Sequence, residues 1–192
     1  TEPDPSYHGL TYWPALGAGS YALKARVQLL RDMGPAITPF NSFLFLQGLE
    51  TLSLRMERHN DNARAVAEYL DGHAQVHSVA YAGLPSSPWH ARATELGGGK
   101  VYGSVLAFEI EGGHEAGKRF VAGLSLHSHV ANIGDVRSLV IHPASTTHSQ
   151  LSPEQQTIAG VNPGLVRLSV GLEHIDDILA DLDAGFRAAK TA

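Results

Sequence analysis

Residues 38–72, TPFNSFLFLQGLETLSLRMERHNDNARAVAEYLDG, hold the pattern that decides the fold. Thr38 followed by Pro39 is a typical helix start, because a threonine side chain caps the first turn and proline fits the first helical position. Apolar residues then recur at helical spacing until Gly72, which is a typical helix end. The sequence therefore predicts one long helix over residues 38–72, with a bend at Gly48.

The two halves of this predicted helix differ in how their apolar residues are distributed. Residues 40–54 are apolar on nearly every side, whereas residues 55–70 are apolar on one face only. We therefore expect the first half to be buried between two bodies of protein. A helix of about 30 residues spans roughly 45 Å, which is longer than a compact domain of this size needs. The helix is predicted to connect two domains.

The residues before this helix read as an irregular segment of a longer polypeptide. Residues 1–19 are rich in proline, glycine and aromatic residues without clear periodicity, and the chain does not begin with methionine. Ser20 is predicted to cap a short amphipathic helix that ends at Gly34. We interpret residues 1–37 as a unit distinct from the domain that begins after Gly72.

Beyond Gly72 the periodicity changes to short strands that alternate with helices. Strands are predicted over 76–81, 103–110, 126–133, 138–141 and 165–170, and helices over 89–96, 114–123 and 175–186. This order of elements is typical of an α+β domain. We predict a sheet of four to five strands with helices on one face, preceded by the long helix.

Composition and charge exclude several classes of function. Lys and Arg total 14 against 19 Asp and Glu, a formal charge of −5, so no basic surface for nucleic acid or an anionic membrane is expected. No apolar run approaches the roughly 20 residues that cross a bilayer. The absence of cysteine excludes disulfides and thiolate zinc sites and fits a cytoplasmic protein. Small molecules and other protein surfaces remain as partners.

The predicted last strand carries a candidate binding residue. Alternation along residues 165–170 places Val166, Leu168 and Val170 on one face and Arg167 and Ser169 on the other. An arginine held on a rigid strand is a good carboxylate clamp, because its planar fork donates two parallel hydrogen bonds. The alternative is an arginine that faces solvent.

Residues 142–150, HPASTTHSQ, form a second candidate site at the end of a predicted strand. Their hydroxyls and imidazoles suit a polar substrate, although Ser and Thr in loops often bond to their own backbone. His127 and His129, two apart on a predicted strand, invite a metal hypothesis. No acidic third ligand or H-E-x-x-H spacing accompanies them, so no metal site is predicted.

Three stretches together resemble the Cys/Met-metabolism family of pyridoxal-phosphate (PLP) enzymes. They are PFNSFLFLQGLETLSLRME at 39–57, HPASTTHSQL at 142–151 and VRLSVGLE at 166–173. Two further stretches, EPDPSYHGL at 2–10 and LHSHVANIGDVRSL at 126–139, resemble the O-acetylhomoserine sulfhydrylase branch of that family. The resemblance covers nearly the whole chain and identifies it with the C-terminal portion of such enzymes.

The resemblance implies a two-domain, fold-type I transferase. Residues 1–37 would be the tail end of the large PLP domain and a linker, 38–72 the connecting helix, and 73–192 the C-terminal domain that closes over substrate. The implied activity of the whole enzyme is γ-replacement in methionine biosynthesis, in which O-acetylhomoserine and sulfide give homocysteine and acetate. Such enzymes are commonly homotetramers, so a homo-oligomer is expected.

The resemblance also implies roles for particular residues. The arginine of the RLSVGLE-like motif grips the α-carboxylate of the amino acid, and this role falls on Arg167. Asn132 stands where family members often have a serine near the same carboxylate, and Ser145 and Thr147 are weaker substrate-binding candidates. The Schiff-base lysine and the other PLP-binding residues lie upstream in the family, so no catalytic or cofactor-binding residue is expected here. The remaining lysines sit in unsuitable patterns: Lys24, Lys100, Lys118 and Lys190.

Other activities fit the same motifs. Cystathionine γ-synthase, cystathionine lyases and methionine γ-lyase share them, and the separating determinants lie mostly in the N-terminal part. A different class of function is a non-catalytic domain that keeps a carboxylate site. The expectation for this chain alone is an inactive portion that needs its own N-terminal PLP domain.

Overall fold

The computed structural model describes residues 2–190, which fall into two compact units that divide between Glu50 and Thr51. Each unit is described by itself. No helix in the described part of the chain is long and apolar enough to cross a membrane.

The first unit is mainly helical. A short bridge between Asp4 and Leu10 closes its first loop. Its elements are a 3₁₀ turn Pro5–Tyr7, α1 (Tyr12–Leu16), a 3₁₀ turn Gly17–Gly19, α2 (Ser20–Lys24), a π-helical stretch Ala25–Leu30, α3 (Arg31–Met33) and α4 (Pro39–Glu50). The run from α2 to α3 ends at Gly34, as expected, and Gly34 adopts the left-handed conformation with a φ of 72°.

The predicted cap at Ser20 is wrong. Ser20 already has helical dihedral angles, and its buried hydroxyl donates backwards to the carbonyl oxygens of Gly17, at 2.6 Å, and Tyr12, at 2.9 Å. The hydroxyl therefore ties α2 to the preceding turns instead of capping the N–H groups of the next turn. Serine bonds to local backbone here, as its chemistry favours, but in the direction opposite to the one predicted.

Helix α4 begins as its sequence predicts. The Thr38 hydroxyl accepts a hydrogen bond from the Asn41 amide at 3.2 Å, and Pro39 occupies the first helical position. None of its side chains is buried in the described structure. Large apolar residues are exposed along its length: Phe40, Phe43, Leu44, Phe45, Leu46 and Leu49.

The continuous helix predicted over residues 38–72 is interrupted at Thr51. Thr51 leaves the helical region, with φ −109° and ψ 7°, and α5 (Leu52–Asp71) starts after it. The Thr51 carbonyl accepts the Arg55 amide at 3.1 Å, so the helical hydrogen bonding resumes one residue beyond the break. The expected bend at Gly48 is thus replaced by a break three residues later.

The second unit contains a mixed five-stranded sheet. Its strands are β1 (Val76–Ala80), β2 (Val105–Ile110), β3 (Ser128–His129), β4 (Leu139–Ile141) and β5 (Leu165–Ser169), in the order β1-β2-β5-β4-β3. All pairs are antiparallel except β3 with β4. The helices are α5, α6 (His90–Gly97), α7 (Gly113–Ala122), α8 (Pro153–Ile158) and α9 (Ile175–Lys190), with a 3₁₀ turn Pro143–Ser145. The predicted α+β class is confirmed.

One face of the sheet forms the core with α5, α7 and α9. Val166 and Leu168 of β5 are fully buried there, as strand alternation predicts. Phe108 of β2, Phe120 of α7 and Phe186 of α9 form an aromatic cluster with ring centroids 4.8 to 5.9 Å apart. Because alternate residues of β5 point to opposite faces, Arg167 and Ser169 lie on the face away from these helices.

Two local predictions in this unit need correction. The strand expected over residues 126–133 is only two residues long, because the carboxylate of Asp181 takes the amide of His127 and tight turns take those of Val130 and Asn132. Between the predicted strands at 138–141 and 165–170, where no helix was predicted, lies α8, which starts with a capping box at Ser152.

Candidate functional site

Arg167 stands near the middle of the sheet face that the helices leave uncovered. In the ladders of β5 it pairs with Ala107 of β2 and Ile141 of β4, so the two residues directly opposite it are apolar. Its side chain is half-buried, and Nη2 donates to the carbonyl oxygen of Asn132 at 3.1 Å. The guanidinium is thus directed towards the loop before β4.

No acidic side chain within residues 2–190 forms a salt bridge with Arg167. A guanidinium has five N–H donors, and one of them is engaged by Asn132. A half-buried arginine whose directly opposite partners are apolar retains the donors that a carboxylate needs for two parallel bonds. The geometry therefore suits recognition of an external carboxylate.

Asn132 meets Arg167 through its main chain and not through its side chain. The carbonyl oxygen of Asn132 receives the guanidinium, while its Oδ1 accepts the amide of Ile133 at 2.9 Å. The side chain stabilises its own turn and is exposed. The proximity that the resemblance implied is present, although the contact uses an atom that every residue type carries.

The loop 142–150 begins directly after Ile141, the β4 partner of Arg167. Its anchor is His142, which is 1% exposed and donates through Nε2 to the Pro163 carbonyl at 2.7 Å. Burial lowers the pKa of His142, outweighing the bond to Pro163, which raises it. A neutral ring leaves Nδ1 to accept the Ser145 hydroxyl at 2.8 Å.

The hydroxyls of this loop are turned largely to its own structure. Ser145 bonds to His142, and Thr146 donates to the His142 carbonyl at 2.8 Å. Thr147 is exposed and lies 2.9 Å from Nδ1 of His148. Substrate roles for Ser145 and Thr147 stay predictions, and Thr147 is the one whose side chain faces outward.

His127 and His129, which the sequence places two residues apart, have different surroundings in the structure. His127 is buried, and its Nδ1 lies 2.7 Å from Asp181, whereas His129 is exposed. Among residues 2–190 no group of three or more His, Asp or Glu side chains is arranged to hold a metal ion. His127 and Asp181 instead form a buried structural pair that sequence reasoning missed.

The four lysines offer no place for PLP. A Schiff-base lysine needs a desolvated, oriented amine, whereas all four here are exposed. Lys24 lies 3.4 Å from Asp4, and Lys118 lies 3.4 Å from Glu115. None of the four amines thus has the buried, oriented setting that a Schiff base needs.

We expect the 192-residue chain mixed with PLP to show no aldimine absorption, because all four lysine side chains are exposed and none is the desolvated, oriented amine that a stable Schiff base needs. Borohydride reduction followed by mass spectrometry of peptides tests this. A stoichiometric adduct on one of the four lysines would contradict it, whereas scattered substoichiometric labelling would not.

A family model and several known proteins match most of this chain. A family model described as Cys/Met metabolism PLP-dependent enzyme matches residues 15–187. The chain is 53% identical to an O-acetyl-L-homoserine sulfhydrylase of Leptospira meyeri, over 97% of the chain and 44% of the relative. It is 55% identical to one of Corynebacterium glutamicum, over 97% of the chain and 42% of the relative.

Solved structures also match most of this chain. A putative O-acetylhomoserine (thiol)-lyase of Campylobacter jejuni aligns with a TM-score of 0.79 and 39% identity, over 97% of this chain and 44% of that one. A cystathionine gamma synthase of Xanthomonas oryzae aligns with a TM-score of 0.71 and 42% identity, over 82% and 40%. The chain spans less than half the length of each of these proteins.

Proposed function

Because the chain belongs to the Cys/Met-metabolism family of PLP-dependent enzymes, we propose that it is the C-terminal portion of an O-acetylhomoserine sulfhydrylase. The whole enzyme would convert O-acetylhomoserine and sulfide to homocysteine and acetate. Relatives of this name are more than twice as long, which supports a further part of the protein that holds PLP. The chain alone would be inactive.

Arg167 is the observation that carries the proposal. Its half-buried guanidinium has an oriented contact to Asn132 and no acidic partner among residues 2–190, which is the state expected of a clamp for the α-carboxylate. We infer that the chain's own task is binding and orientation. The Arg167 fork would hold the amino acid by its carboxylate, and Asn132 would keep the fork in position.

The division of labour along the chain follows from this proposal. Residues 1–37 would complete the PLP domain, 38–72 would connect the domains, and 73–192 would close over substrate. The exposed apolar residues of α4 support coverage by the rest of the protein, because exposed apolar patches of this kind mark interfaces. We also propose a homo-oligomer and a cytoplasmic location, the latter favoured by the absence of cysteine.

A sister activity is the second candidate. The cystathionine gamma synthase of Xanthomonas oryzae is 42% identical in the aligned part, and the carboxylate clamp proposed here suits any amino-acid substrate. A non-catalytic carboxylate-binding domain is the third. The higher identity to sulfhydrylases, 53% and 55%, favours the first proposal.

The test is an assay of the full-length protein that contains this chain. With PLP bound, we expect homocysteine from O-acetyl-L-homoserine plus sulfide, and little cleavage of cystathionine. The two activities are measured in separate samples, because cleavage of cystathionine can itself release homocysteine. A protein that uses cysteine in place of sulfide, or that only cleaves cystathionine, would transfer the proposal to the sister activities.

A further inference from the structure

Two segments beside Arg167 are joined by a row of hydrogen bonds. One is residues 169–173, which leave β5, and the other is residues 132–138, which precede β4. The Gly134 amide donates to Oγ of Ser169 at 3.2 Å, and the Leu172 amide donates to the Val136 carbonyl at 2.8 Å. Ser169 is 1% exposed, so its hydroxyl lies at the buried end of this contact. We call this row of contacts the latch.

The strongest part of the latch joins Glu173 to Ser138. The Ser138 amide donates to Oε1 of Glu173 at 2.7 Å, and the Ser138 hydroxyl donates to Oε2 at 2.9 Å. The same hydroxyl accepts the Gly171 amide at 2.9 Å. Ser138 is fully buried, and charge-assisted bonds of this kind are stronger than neutral ones.

Gly171 permits the close approach of the two segments. A Cβ atom at this position would lie 2.4 Å from the amide nitrogen of Ser138 and 2.5 Å from the carbonyl carbon of Arg137. Both are backbone atoms, which cannot turn aside as a flexible side chain does. The position therefore requires glycine for packing, not for an unusual backbone conformation.

Helix α5 fixes the other side of residues 170–173. His59 donates through Nδ1 to the Val170 carbonyl at 2.7 Å, and Asn62 donates through Nδ2 to the carbonyls of Gly171 and Glu173 at 2.9 and 3.0 Å. The carbonyls of Val170, Gly171 and Glu173 are thus bound by the helix. The amides of Gly171 and Leu172 and the carboxylate of Glu173 bind the loop. A segment held on both sides is a rigid support.

The latch lies next to Arg167, the proposed carboxylate clamp. Arg167 and Ser169 are two residues apart on one face of β5, and both contact the loop 132–134, at the Asn132 carbonyl and the Gly134 amide. Building on the proposed function, we propose that Ser169 and Glu173 are positioning residues. They hold residues 132–138 so that the Asn132 carbonyl keeps the Arg167 guanidinium in its binding orientation.

The experiment uses the full-length protein with Ser169→Ala and Glu173→Gln, and Glu68→Gln as the matched control, since Glu68 is exposed on α5. Each latch variant should raise KM for O-acetyl-L-homoserine about tenfold and leave kcat within about twofold, as loss of a hydrogen bond that orders a binding group predicts. Hydrogen exchange of the amides in residues 131–137 should become about tenfold faster. The control should change neither quantity.

The outcomes separate this proposal from the one it rests on. If Arg167→Gln raises KM while the latch variants do not, the latch is overturned and the clamp stands. Faster exchange without a change in KM also overturns the latch, because the contacts are then only structural. If Arg167→Gln leaves KM unchanged, the clamp itself is refuted and the latch falls with it.

Discussion

Replacing Arg167 with glutamine in the full-length protein should lower kcat/KM for O-acetyl-L-homoserine about 100-fold or more, mainly through KM. Glutamine removes the charge and the two parallel donors, and hydrogen bonds to charged groups contribute about 1.5–3 kcal/mol each. Because each 1.4 kcal/mol is about tenfold, two such bonds account for this loss. Steady-state kinetics with varied O-acetyl-L-homoserine at fixed sulfide measures it.

Two further variants sharpen this result. Arg167→Lys keeps the charge but not the planar fork, and its effect should be smaller, about tenfold. Arg92→Gln is the matched control, since Arg92 is exposed on α6 and pairs only with Glu95 three residues away in the described structure. Kinetics of Arg92→Gln should match those of the unchanged protein. An Arg167→Gln enzyme with the original KM would refute the carboxylate clamp.

The sequence alone predicts the parts of the fold that depend on short-range patterns. Thr38 with Pro39 marks the start of α4, and alternation along β5 separates the buried Val166 and Leu168 from Arg167. Both follow from backbone geometry within a few residues. The nearness of Asn132 to Arg167 came from the resemblance, because 35 residues separate them and no periodicity relates them.

A tertiary contact accounts for the strand prediction that was wrong. Residues 126–133 alternate like a strand, but Asp181, 54 residues from His127, takes the amides of Ser125 and His127. The carboxylate of Asp181, on helix α9, thus takes amide groups that a strand in this stretch would use for pairing. The break at Thr51 lies inside a continuous helical pattern without proline, so the local sequence does not predict it.

Two features that were not predicted still have a recognisable pattern in the sequence. Ser152 and Gln155 have the spacing of a capping box, which marks the start of α8. Asp181 lies between Ile178 and Leu182 on the apolar stripe of α9, where a charged residue needs a buried partner. The latch has no such signal, because its contacts are between main-chain groups and side chains of separate segments.

Replacing Asp181 with alanine should lower the free energy of unfolding by about 3–5 kcal/mol, because several buried hydrogen-bond donors would lose the acceptor that they share. The carboxylate accepts the amides of Ser125 and His127, at 2.7 and 3.0 Å, the Ser125 hydroxyl at 3.1 Å and Nδ1 of His127 at 2.7 Å. The His127 side chain is completely buried, so its donor would lose its partner without gaining water. The loss of unfolding free energy is measured by unfolding the protein in urea and by hydrogen exchange of the β2 and β5 amides.

The pH dependence of stability provides a second readout of the same pair. Burial alone would raise the pKa of Asp181, but hydrogen bonds from the His127 ring and from nearby amides outweigh it and lower the pKa from 3.8 to about 2. Because the folded-state pKa lies below the unfolded value, this stabilisation is complete above pH 3.8 and is lost as the pH falls towards 2. The Asp181→Ala protein should lack this component of acid sensitivity.

The control for this prediction is Asp177→Asn, an exposed change on the same helix that should cost less than about 1 kcal/mol. His127→Phe should cost less than Asp181→Ala, because Asp181 would keep its backbone donors and the aromatic ring would fill a dry site. Equal losses for Asp181→Ala and Asp177→Asn would mean that helix electrostatics, and not the buried pair, stabilise α9. The reverse order for His127 and Asp181 would mean that packing of the ring outweighs the hydrogen bonds to the carboxylate.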